Sequence, residues 1–293
     1  MKCEQRNSTA EATATMRAVH FLYHQPVVFN DPYALQLTSP ALRRACQNRF
    51  FGWPLRRNFI SASLRPITAQ VVSRAKYAEE KLEQAVSKGI SQYVIIGAGF
   101  DSFCLRRPDF SAGLQIYEID HPATQEIKRK RLLEIVDSSP KGVEFLSVDL
   151  EKQNLADALS NSSFLKDERA FFSWLGTVPY LSKDAVFKVL RGLASFAARG
   201  SEIVFDYSIP TAMWALEERQ ALVRILRIIE RRGEAVKSFF EPDAFQEDVS
   251  HLGYHIFENI SPEELNKKYF SDRSDGLATH SAAYNLHAET MQD

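Results

Sequence analysis

The chain has 293 residues, 45% of them hydrophobic, enough to bury a substantial core. Its 36 basic and 37 acidic residues balance to a formal net charge of -1, which leaves no electrostatic footprint for nucleic acid or an anionic membrane. Without a run of about 18 apolar residues a membrane span is excluded, and the default partner is a small molecule.

The N-terminal MKCEQRNSTAEATATMRAV lacks the apolar core of a signal peptide, so a cytoplasmic protein is expected. Cys3, Cys46 and Cys104 form neither a disulfide framework nor a zinc spacing and read as reduced thiols, with Cys104 a buried structural residue rather than a nucleophile. Residues 1–90 read as a helical cap interrupted by FNDPYAL and by the aromatic stretch NRFFGWPLRRNF. The cap ends in a long amphipathic helix, LRPITAQVVSRAKYAEEKLEQAVSKG, stopped at Gly89.

From residue 91 to 210, short β-rich runs alternate with helical periods, the pattern of an α/β protein with a parallel sheet. The predicted strands are QYVIIG (92–97), LQIYEID (114–120), VEFLSVD (143–149), RAFFSWLG (169–176) and SEIVFDYS (201–208). ATQEIKRKRLLEIVD reads as a helix whose KRKR run is a solvated face. SKDAVFKVLRGLASFA reads as a helix with Ser182 as its N-cap. Residues 211–240 form a helical insertion after the fifth strand, suited to walling a substrate pocket, and 241–293 supply the last strands. A single domain over 1–293 is expected. His251 and His255 are separated by Gly253 and should not share a helix, and no metal site is expected.

The first strand runs into Gly97, Ala98 and Gly99, a loop that lets a ligand approach backbone closely. A dinucleotide fingerprint would place a third glycine at Ser102, and Asp101 puts a negative charge where a pyrophosphate would lie. Both features favour a ligand without phosphates, such as S-adenosylmethionine. Asp120 ends the second strand at the distance suited to a ribose-binding acid. Asp149 with Leu150 ends the third, where a carboxylate and a backbone N–H suit an adenine edge. Trp174, Tyr180 and Trp214, with Tyr207 at the end of the fifth strand, are candidates to line an acceptor pocket.

The segments VIIGAGFDSFCLR, IYEIDHPATQEIKRKRL, FLSVDL and FFSWLGTVPYLSKDAV, with YFSDRSDGL near the C-terminus, resemble the leucine carboxyl methyltransferase family. The likeness lies in its bacterial branch of S-adenosylmethionine-dependent O-methyltransferases and covers roughly residues 10–286. It implies a class I methyltransferase (Rossmann-like) sheet, S-adenosyl-L-methionine as cofactor, and transfer to a carboxylate or hydroxyl of a small molecule. A polyketide-type secondary metabolite is one such acceptor. It also implies that Arg74 binds the cofactor carboxylate, Gly97 is the loop glycine, Asp120 the ribose-binding acid and Asp149 with Leu150 the adenine clamp; Ala98, Gly99, Asp101, His121 and Trp174 are further cofactor-binding candidates beside them. Phosphatase-type members and many bacterial relatives carry a glutamate near the start of the segment matched by WLGTVPYL, where this chain has Leu175 and Gly176. That departure argues against phosphatase methylation. The rival readings are an NAD(P)-dependent oxidoreductase and a catalytically silent S-adenosylmethionine-binding protein.

Overall fold

The computed structural model describes residues 2–47, 64–111, 113–138, 140–231 and 233–291. The stretch NRFFGWPLRRNF (48–59) lies outside them. Seven strands form one sheet in the order β3-β2-β1-β4-β5-β7-β6. β1 (Gln92–Ile96), β2 (Gln115–Asp120), β3 (Val143–Ser147), β4 (Ala170–Trp174) and β5 (Glu202–Ser208) are parallel. β7 (Ala283–Thr290) inserts antiparallel beside β5, and β6 (Tyr254–Ile260) closes that edge. All five residues of β1 and all five of β4 are buried, which explains why both are mostly hydrophobic rather than alternating, Gln92 and Ser173 apart.

The order starts in the middle, at β1, and winds outward in both directions, so a crevice opens where the strand order reverses. Ligands of such sheets bind there, beyond the carboxyl ends of the strands. Helices α1 (Lys2–Tyr23), α2 (Pro40–Gln47) and α3 (Arg65–Ser87) precede the sheet. α3 ends as its sequence suggests: Gly89 has φ +93°, and the N–H of Ile90 returns to the Ala85 carbonyl at 3.2 Å. α3 runs antiparallel to β5, because Arg74 meets Asp206 near the end of that strand while Lys88 meets Glu202 at its start.

α4 (Phe103–Arg106) and α5 (Pro108–Ser111) are single turns after the glycine loop, and α6 (Pro122–Leu133) follows β2. α7 (Leu155–Ser160) follows β3, and α8 (Lys183–Phe196) has Ser182 at its N-cap, accepting from the Ala185 N–H at 3.3 Å. α9 (Leu216–Arg231) is the helix of the segment after β5, followed by an extended stretch to α10 (Pro242–His251). α11 (Pro262–Tyr269) lies between β6 and β7. His251 ends α10 and His255 lies in β6, so the two share no helix.

One expectation about α6 is corrected. Lys128 is not on a solvated face: it is fully buried and pairs with Glu118 of β2, itself buried. Arg131 turns inward as well, to Glu11 of α1 and, at 2.6 Å, to the Leu37 carbonyl. Periodicity placed these cations on the helix surface, but α6 packs against both β2 and α1, so two of its faces are covered. Cys46 and Cys104 are buried free thiols.

Candidate functional site

A cavity of about 310 Å³ opens beyond the carboxyl ends of β1, β2, β3 and β4, within the size range of about 300–1,000 Å³ common for small-molecule sites. Its floor is the turn after β1. The N–H groups of Gly97 and Ala98 both donate to the Ile119 carbonyl, at 2.8 and 2.9 Å, locking the turn against β2. Gly97 has φ +69° and Gly99 φ +49°, the left-handed region that glycine tolerates. A Cβ on Gly97 would overlap the Thr177 side chain, so the residue is required by contact as well as by dihedral angle.

Asp120 grips this turn. One carboxylate oxygen accepts from the Gly99 N–H at 2.5 Å and the other from the His121 N–H at 2.6 Å. Each oxygen retains a lone pair for a further donor such as a ribose hydroxyl. Burial pushes the Asp120 carboxyl above its ordinary range, while the two backbone N–H groups pull it down. Asp101 caps the turn that follows, accepting from the Phe103 N–H at 2.7 Å. His121 caps α6, and its Nε2 stands 4.0 Å from Asp149 Oδ2. Asp149 also meets Lys152 at 3.2 Å, and among the described residues no acceptor engages the Leu150 N–H.

Arg74 enters from α3. Its Nη1 donates to Asp206 Oδ2 at 2.7 Å, and Asp206 Oδ1 accepts from the Gly176 N–H at 2.5 Å. The guanidinium has five N–H donors. Among the described residues only this one acceptor engages it, and Arg74 lines the cavity. The opposite wall comes from Thr9, Ala10, Thr13 and Arg17 of α1, from Tyr180, and from the stretch 233–237. Lys237 closes this wall by pairing with Glu151 at 2.6 Å. Burial and the nearby Glu234 carboxylate raise the Tyr180 hydroxyl above its ordinary value, so it remains a protonated donor at neutral pH.

Arg74, Gly97, Ala98, Gly99, Asp101, Asp120, His121, Asp149, Leu150 and Tyr180 thus meet in one cavity. Three expected residues are elsewhere. Trp174 is fully buried in β4, packed in the core cluster beside Phe205, and is not among the residues that line the cavity. Tyr207 is buried beside Phe245 and donates to Asn259 Oδ1 at 2.9 Å. Trp214 is buried with its indole N–H on the Ile209 carbonyl at 3.0 Å. The expected role of 211–240 as a pocket wall falls to 233–237 rather than to α9. Sequence reasoning missed the α1 residues and Thr177, none of which carried a local signal; Asp206 stood out beside Tyr207 as a carboxylate at the end of the fifth strand, with capping and a site role both open.

The family model for leucine carboxyl methyltransferase matches residues 10–194. The chain belongs to the leucine carboxyl methyltransferase family. A Bacillus subtilis (strain 168) protein named "Putative S-adenosyl-L-methionine-dependent methyltransferase YktD" is 29% identical over 302 residues, covering 98% of this chain and 99% of that protein. A similarly named Mycobacterium marinum protein is 30% identical over 141 residues, covering 48% of this chain and 46% of the relative. Among solved structures, a duf574 family protein from Streptomyces avermitilis superposes with a TM-score of 0.60 at 13% identity, covering 95% of this chain and 97% of the other. The last likeness concerns the fold alone, the Rossmann-like class I methyltransferase sheet. The protein is an S-adenosylmethionine-dependent methyltransferase, and the oxidoreductase reading is set aside.

Proposed function

We propose that this methyltransferase transfers its methyl group to an oxygen of a small molecule, and that a neutral hydroxyl suits the site better than a carboxylate. The observation that carries this reading is the charge of the cavity wall. Six carboxyl groups line it (Glu79, Asp101, Asp120, Asp149, Glu151 and Glu234) against three cationic side chains, Arg17, Arg74 and Lys237. All three cations have carboxylate partners, Arg17 with Asp31 at 2.8 Å, Arg74 with Asp206 and Lys237 with Glu151, and Glu79 and Asp149 are likewise paired, with Arg106 and Lys152, so the excess of negative charge rests on the remaining carboxyls, among them Asp101 and Asp120. An anionic acceptor would meet net repulsion in a partly enclosed space, where charges are poorly screened. A cationic cofactor meets attraction.

When bound, S-adenosylmethionine supplies a methyl group activated by a sulfonium leaving group. The residues of the chain then bind, orient and exclude water, which is where alignment of reacting atoms lowers the barrier. Gly97 and Gly99 admit the ligand to the backbone, Asp120 suits the ribose hydroxyls, Asp149 and the Leu150 N–H suit the adenine edge, and Arg74 suits the carboxylate. On the acceptor side the protonated Tyr180 hydroxyl orients an oxygen, and the Glu234 carboxylate beside it can take a proton from a hydroxyl acceptor. A polyketide-type phenol is one acceptor with that chemistry.

The experiment is transfer from methyl-labelled cofactor into paired acceptors that differ only in carrying a phenol or a carboxylic acid. Label in an alkali-stable ether is the expected result. Label released by alkali as methanol would identify a methyl ester and a carboxylate acceptor, and label on nitrogen or carbon would end the oxygen reading.

A further inference from the structure

Asp206 is not a ligand-facing group of the cavity, yet it is the point at which three elements of the site are joined. It lies on β5, its side chain almost fully buried, and its two oxygens are divided between α3 and the turn after β4. One oxygen holds Arg74 Nη1 at 2.7 Å and the other holds the Gly176 N–H at 2.5 Å. Gly176 has φ +67°, and a Cβ there would overlap the Arg74 guanidinium. The guanidinium is therefore held by a carboxylate and packs against a backbone without a side chain. A long, flexible side chain is thereby restrained at the cavity wall, with N–H groups left over for a ligand.

We propose that Asp206 is a positioning residue for the cofactor, aiming the Arg74 fork at the carboxylate on the amino-acid end of S-adenosylmethionine. The inference rests on the reading that Arg74 receives that carboxylate. Pre-orientation matters because bidentate pairing is directional, and a freely rotating arginine would have to be ordered by each ligand that binds. It also assigns a use to the leucine and glycine at 175 and 176. Leu175 packs into the apolar cluster beside β1 and α3, and Gly176 leaves the room that the guanidinium occupies.

The test compares two ligands that differ in the group Asp206 would serve. S-adenosylhomocysteine carries the carboxylate, and 5′-methylthioadenosine keeps the adenosine and the thioether but lacks it. Asp206→Asn keeps an oxygen for the Gly176 N–H and removes the charge that holds Arg74. By titration calorimetry the variant should lose about tenfold or more in affinity for S-adenosylhomocysteine. Its affinity for methylthioadenosine should stay within about twofold. Equal loss for both ligands, or unchanged affinity for S-adenosylhomocysteine, would overturn the proposal. Should the asparagine variant fail to fold, Asp206→Glu keeps the buried charge but displaces it by one methylene, and the same ratio is read; failure of both to fold assigns Asp206 to the fold and ends the proposal. A wild-type protein that binds the two ligands equally well would instead end the reading of Arg74, whatever Asp206 does.

Discussion

The two sides of the cavity are built by different means. The side proposed to hold the cofactor is made at the ends of consecutive strands, from backbone N–H groups and short acids whose places follow from the sheet. The side proposed to face the acceptor is assembled from α1, Tyr180 and 233–237, which lie far apart in the chain and meet through side-chain contacts such as Lys237 with Glu151. The first is rigid because strand register fixes it, and the second depends on links that are partly exposed. Changes on the strand-end side should therefore reach stability and cofactor binding together, whereas changes on the other should alter acceptor use at little cost to either.

The largest expected effect lies beneath the glycine turn. Lys128→Met leaves the buried Glu118 carboxylate without its partner and should cost about 3–5 kcal/mol of stability, read by denaturant unfolding. A loss below about 1 kcal/mol would mean that the floor of the site is not held by this pair.

Next comes Asp120. Asp120→Asn should weaken S-adenosylhomocysteine binding by about 1–3 kcal/mol, since a carboxylate shared by two N–H donors and a ligand is lost. The same residue carries a pH signature. Burial holds its folded pKa above the ordinary value, so folding favours the protonated form. Its contribution to stability is full below the ordinary value, about 3.9, and is lost as pH rises through the raised folded value. Melting temperatures taken across that window should fall with rising pH more in the wild type than in the asparagine variant. Parallel curves would show that Asp120 titrates no differently in the two states.

The smallest effect is expected on the far wall. Lys237→Ala removes a half-exposed pair and should change stability by about 0–1 kcal/mol, with S-adenosylhomocysteine affinity unchanged and KM for the methyl acceptor altered. If cofactor affinity falls as far as in Asp120→Asn, the two sides are not separable and the comparison fails.

The same contrast explains what could be read from the sequence. The five parallel strands were visible because each is a short run rich in β-branched and aromatic residues, and the acids at 120 and 149 stand out because they end those runs. α3 and its stop at Gly89 followed from period and glycine. The aromatic candidates failed for a physical reason: in an α/β sheet the residues on both faces are covered, and Trp174 and Tyr207 fall on positions whose surroundings are core. Lys128 failed because a helix packed on two neighbours has less free surface than its charges imply. Thr9 and Thr13 carried no signal at all, since nothing local distinguishes a threonine that meets a distant turn from one that faces water. Asp206 was visible as a strand-end acid, but its partner on α3 is set by tertiary packing.

The six carboxyls around the cavity bear on the turnover cycle as well as on ligand choice. Methyl transfer converts a sulfonium cation into a neutral thioether, so the wall that draws the cofactor in loses part of its hold once the reaction is complete. On the proposed assignment the spent ligand keeps its contacts to ribose, adenine and carboxylate but forfeits the charge attraction, and fresh cofactor competes for the same space with that attraction intact. Exchange of product for substrate is thereby biased forward, and low ionic strength should strengthen the bias.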